Sequence, residues 1–137
     1  MASPMTGGCL CGAVRYEVRG ALRPVVMCHC TQCRRMTGHV MAATGARHAD
    51  FRLLSEDGLG WYASSAEARR GFCTRCGSTL FWQGVGRDYV SIAAGTLEDS
   101  SGLQIACHIF TADKGGYYEI DDGAPQVRDG RFAVSWQ

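Results

Sequence analysis

AVRYEVRG, residues 13–20, alternates side chains from Val14 to Arg19. Val14, Tyr16 and Val18 fall on one face of an extended backbone, and Arg15, Glu17 and Arg19 fall on the other. That two-residue period is the mark of a half-buried antiparallel strand. Working outward, further strands are expected at 24–28, 39–44, 50–54, 59–63, 68–73, 78–83, 88–94 and 104–110. Glycines such as Gly20, Gly38, Gly58, Gly77, Gly86 and Gly102 punctuate them as turn residues. Helix is confined to one short segment, Thr31 to Met36 with Cys30 or Thr31 at its start, and a turn around Ala112 to Gly115. The expectation is a mainly β fold of many short antiparallel strands. Its core would draw on Phe51, Leu53, Trp61, Phe72, Leu80, Phe81, Val90, Ile92, Ile105, Ile109 and Phe110.

At 137 residues the chain fits one domain, 1–137, with a core of about 7–120. The tail 126–137, ending RFAVSWQ, reads as a last edge strand or a mobile appendage. Apolar content of 46% and charged content of 20% are those of a globular chain. No apolar run approaches a membrane span, and the first residues lack the basic end and apolar stretch of a secretory signal. A cytoplasmic protein is expected. The formal charge of +1 becomes −2 once seven thiolates and two divalent ions are counted. Neither value points to a nucleic acid as partner.

Eight cysteines need an account. In a reducing compartment, closely spaced cysteines read as metal ligands. Cys73-Thr-Arg-Cys76-Gly77 has the form of a zinc knuckle, its glycine permitting the turn. Cys9 and Cys11, two apart in an extended segment, would leave the same face. The two pairs together make a full tetrahedral set for a structural zinc. Cys28, Cys30 and Cys33 then lack a local fourth partner, and three protein ligands with one open position is the arrangement of catalytic zinc. His29, Cys107 and His108 are the candidates to approach it. His29, between two cysteines, would point its ring away, leaving it a surface group or a support to the ligands. Cys107 alternates with apolar residues like a small buried hydrophobe. His108, on the opposite face, is better placed. Three thiolates leave Zn²⁺ with a net −1, so the site suits an incoming thiol better than water. Arg34 and Arg35 follow directly, and with His108 they are the candidate ligand contacts.

The motifs GGCLCGAVRYEV, CHCTQCRRMTG, FCTRCGSTLFW, AGTLED and HIFTADKGGYYEI stand in this order. Together they resemble the glutathione-dependent formaldehyde-activating enzyme family, whose domain also occurs in centromere protein V. The resemblance runs from about Gly7 to about Ile120. It implies a β-tent fold of antiparallel sheets around zinc. It implies a structural zinc on Cys9, Cys11, Cys73 and Cys76, and a labile one on Cys28, Cys30 and Cys33. The implied activity is a carbon–sulfur lyase run in reverse, joining glutathione, or another small thiol, to formaldehyde, a small aldehyde. DKGG at 113–116 departs from the family's bulkier loop. Two other classes compete: a non-catalytic zinc-bearing interaction module, and a thiol redox enzyme using Cys107, the one cysteine left over.

Overall fold

In a computed structural model the chain is described over residues 3–134 and at Trp136. It is mainly β, with two sheets and one short α-helix. The first sheet has three antiparallel strands in the order β1 (Met5–Gly8), β2 (Val14–Val18), β5 (Phe51–Glu56). The second has seven. From one edge to the other they are β10 (Ile105–Ile109), β3 (Val25–Cys28), β4 (Met41–Arg47), β9 (Tyr89–Ala93), β8 (Thr79–Gly84), β7 (Ala68–Cys73) and β6 (Leu59–Ala63). Helix α1 (Thr31–Thr37) joins β3 to β4. Gly38, which caps its C-terminal end, sits at φ 84, the left-handed conformation that closes a helix.

The apolar face read from AVRYEVRG is the heart of the molecule. Val14, Tyr16 and Val18 are fully buried and pack on Leu80, Phe81, Val90 and Ile92 of the larger sheet. Phe81 sits edge-on to Tyr16, ring centres 5.5 Å apart, and to Phe51 at 5.4 Å. Such pairs add to the burial itself. The opposite face differs from expectation at Glu17, which is buried. β2 is the middle strand of its sheet, and Arg19 and Arg52 fold over the carboxylate at 3.2 and 3.6 Å.

Three further departures have physical causes. β1 has the sequence MTGG, and glycines carry little strand propensity, so pairing with β2 supplies what the sequence does not signal. β10 pairs with β3 in parallel, which the long chain between them permits. Ile105, expected in the core, is exposed: the register shifts between Ile105 and Cys107 and leaves Ile105 outside. The tail does not hang free at its start. His108 donates its amide to the Pro125 carbonyl, and its own carbonyl accepts from Val127, both at 2.8 Å. Within the tail, Ser135 and Gln137 lie outside the described residues.

Candidate metal centres and ligand cavity

Two sulfur clusters form, each from the spacing that marked it. Cys9, Cys11, Cys73 and Cys76 bring their sulfurs within 4.8 Å of one another. Cys73 ends β7 and is fully buried; Cys76 follows in a turn whose Gly77 has φ 79. Cys9 and Cys11 converge by a different route from the extended one expected. They sit in the tight turn between β1 and β2, closed by the Gly12 amide on the Cys9 carbonyl at 3.2 Å. Four sulfurs at about 2.3 Å from one zinc stand about 3.8 Å apart in a regular tetrahedron. The Cys9–Cys11 and Cys11–Cys73 separations are 3.6 and 3.7 Å, so this donor set fits zinc. The Val14 amide donates to the Cys9 sulfur at 3.2 Å. The Ser78 hydroxyl, then the amides of Cys11 and Ser78, hold the Cys76 thiol down at about 5. At Cys76 the chain thus favours the thiolate a metal needs, whereas burial and the neighbouring thiols of Cys9, Cys73 and Cys76 push Cys11 up to about 11.

The second cluster gathers at the junction of β3 and α1. Cys28 closes the strand, Cys30 caps the helix, and Cys33 lies buried in its first turn. Cysteine stands where serine or threonine commonly caps, accepting the Cys33 amide at 3.3 Å. The three sulfurs lie within 4.8 Å of one another, and among the described residues no other histidine, cysteine, aspartate or glutamate joins them. The thiols of Cys28 and Cys33 hold Cys30 down at about 2, and the same contact with Cys30 pushes Cys28 up. Three soft donors with one side open fit a divalent ion that keeps a position free.

All three cysteines line a cavity of about 1300 Å³, ample for a small organic ligand. Its far wall comes from β8, β9 and the tail, including Trp82, Tyr89, Phe132 and Trp136. Arg34 is half-buried and Arg35 exposed on α1; neither lines this cavity, nor does His108.

His108 instead completes a buried polar chain. The Tyr118 hydroxyl meets His29 Nδ1 at 2.5 Å, His29 Nε2 meets His108 Nδ1 at 2.8 Å, and His108 Nε2 meets the Asp122 carboxylate at 2.8 Å. The carboxylate can only accept, so His108 Nε2 donates to Asp122, and the ring nitrogens of His29 link His108 to the Tyr118 hydroxyl. Burial, reinforced by the neighbouring His108, holds His29 down at about 4. His29 therefore points away from the sulfurs as expected, but into the interior rather than onto the surface. The chain ties the loop between Cys28 and Cys30 to the segment after β10. Lys114, of the DKGG loop, donates to the carbonyls of Gly115 and Tyr118. Cys107 is buried against Val26 and Ile109, and burial pushes its thiol up, the opposite of a reactive thiolate.

Sequence reading missed two arginines beside the open cluster. Arg70 donates to the Cys33 sulfur at 3.5 Å and to Gln32 at 3.3 Å. Arg23 donates to the carbonyls of Ala43 and Thr44 at 3.0 and 3.2 Å. Both are buried and both line the cavity. The signal for Arg70 was its place on the same face of β7 as Ala68 and Phe72, a cation on an inward side.

Residues 4–113 match the family described as glutathione-dependent formaldehyde-activating enzyme. An "uncharacterized lyase" of Schizosaccharomyces pombe is 32% identical over an alignment covering 56% of this chain and 55% of the relative. A "putative glutathione-dependent formaldehyde-activating enzyme" of Halomonas elongata is 30% identical, covering 56% and 54%. The chain spans about half the length of these curated relatives. The crystal structure of a Rhodobacter sphaeroides protein, 26% identical, matches with a TM-score of 0.60 over 90% of this chain and 99% of that one. With the family match extending from β1 to the turn after β10, the chain belongs to the glutathione-dependent formaldehyde-activating enzyme family.

Proposed function

We propose that the protein is a zinc-dependent carbon–sulfur lyase-type enzyme that joins a small thiol, glutathione by the family's name, to formaldehyde. The observation that carries this reading is the asymmetry of the two clusters: four sulfurs close one, while three leave the other open to a cavity. In the reaction the thiol sulfur bonds to the aldehyde carbon and the carbonyl π bond opens. The thiol proton ends on the new hydroxyl, and nothing is oxidised or reduced. Cys28, Cys30 and Cys33 would hold a zinc ion, which when bound would supply a Lewis-acidic position that makes a thiol more acidic. The residues around it do the rest. The Arg70 guanidinium and the Cys33 amide offset the sulfurs' negative charge. The Tyr118–His29–His108–Asp122 chain fixes the loop that carries two of the three cysteines. Arg34, whose Nε is buried without an acceptor, remains a candidate contact for a ligand's acidic end, with Arg35 exposed beside it.

The test separates the clusters. Cys73→Ser is expected to lose folding free energy of several kcal/mol, because metal binding there is folding free energy. Cys30→Ser is expected to stay folded, carry one fewer zinc per chain and lose thiol binding. Metal analysis, thermal unfolding and thiol titration read the difference. Equal collapse of both variants would make both clusters structural and favour the interaction-module reading. A redox enzyme would instead lose activity in Cys107→Ser with its zinc intact.

A further inference from the structure

The cavity beside the open cluster carries more positive than negative charge. Arg23, Arg70, Arg87 and Arg131 line it against Glu67 and Asp113. Arg23 and Arg70 are each only 4% exposed, and a buried cation calls for a counter-charge. Among the described residues no carboxylate pairs with either one. For Arg70 the sulfurs answer that call. Three thiolates around a divalent ion leave one negative charge, and Arg70 lies against Cys33.

Arg23 has no such answer. Its Nη2 serves two backbone carbonyls, which pins the guanidinium to β4. Tyr89 and Phe132 flank the guanidinium at 5.6 and 5.7 Å. Its Nε is occluded and has no acceptor. Among the described residues Tyr89 is the further polar side chain beside the guanidinium, and Nη1, which is not among the occluded atoms, is the edge left to the cavity. A structural tie to the β4 carbonyls accounts for one nitrogen of three. Among the described residues no acidic group matches the cation.

Strand register gives the distance scale. Val26 faces Ala43 and Cys28 faces Met41 across β3 and β4. The point where Arg23 is held therefore lies two strand residues, roughly 7 Å, along β4 from the residue opposite Cys28.

We propose that Arg23 anchors a carboxylate of the thiol ligand, so that the site selects thiols carrying an acid group several bonds away from the sulfur, as in a small peptide, over short or neutral thiols. This rests on the reading of the Cys28 cluster as an open metal site.

The experiment uses cobalt-substituted protein, in which sulfur-to-cobalt absorption reports a thiol joining the metal. It is titrated with glutathione, with glutathione diethyl ester and with 2-mercaptoethanol. Wild type is expected to bind glutathione roughly 10- to 100-fold more tightly than the diester, the range for a hydrogen bond between charged groups. Arg23→Gln is expected to lose that ratio while leaving diester affinity unchanged. If Arg23→Gln does not fold, Arg23→Lys carries the comparison and is expected to show a reduced ratio, since a lysine lacks the planar fork. A wild-type ratio near one, or a ratio unchanged in the Arg23 variant that folds, would overturn the assignment while leaving the open metal site in place. No spectral change with any thiol would overturn the proposed function, and the anchor with it.

Discussion

Position 7 shows how closely single residues are constrained. A Cβ on Gly7 would meet the Tyr16 hydroxyl and, at 2.5 Å, the backbone carbonyl oxygen of Thr96. Backbone cannot step aside as a flexible side chain can. Gly7→Ala is expected to cost about 2 kcal/mol, measured by urea unfolding. At this scale the cysteines were the legible part of the site. Ligands two or three residues apart are held near one another by covalent geometry, so their spacing already speaks of a metal. Arg23 and Arg70 were not legible in that way. A guanidinium becomes a site residue only when the fold buries it without an acid, and its partners Ala43, Thr44 and Cys33 are reached across strands. His29 falls between: its direction away from the sulfurs followed from an extended backbone, but its partners Tyr118 and His108 lie 89 and 79 positions away.

Elements with a clear two-residue period, such as β2 and β6 to β9, were legible to within a residue or so at their ends. The glycine-rich β1 was not, and neither was the parallel pairing of β10 with β3, because alternation says which face a residue takes and nothing of strand direction. The segment 125–129 behaves as the cover of β10's outer edge, tied by backbone bonds at His108 and Phe110. Val127→Pro removes the amide that serves the His108 carbonyl. That carbonyl belongs to a buried residue, so a loss of roughly 1–3 kcal/mol is expected. A melting temperature lowered by several degrees, with full metal content retained, would check it.

Over the whole molecule, the two sheets close on one aromatic core with Tyr16 at its centre. Tyr16 is fully buried, bonds to the Thr96 hydroxyl at 2.7 Å, and burial pushes its phenol up to about 12. The folded protein keeps this proton where the unfolded chain, near pH 10, has lost it. The stabilisation is complete below pH 10 and disappears as the pH rises toward 12, a loss on the order of 2 kcal/mol. Tyr16→Phe should lack that alkaline component when unfolding free energies at pH 8 and pH 11 are compared. The two sulfur clusters also differ in how far apart along the chain their members stand. Cys28, Cys30 and Cys33 are neighbours in sequence, so a nascent chain could engage an ion there soon after that stretch leaves the ribosome. The other set must wait until Cys76 has emerged, on the order of seconds later at ordinary rates of synthesis. It must then close a loop that brings Cys11 to Cys73, 62 positions apart. On the proposed reading of the two clusters, biogenesis would fill the open one before the one that locks the scaffold, and zinc scarcity during translation would fall first on chains still waiting to be fastened.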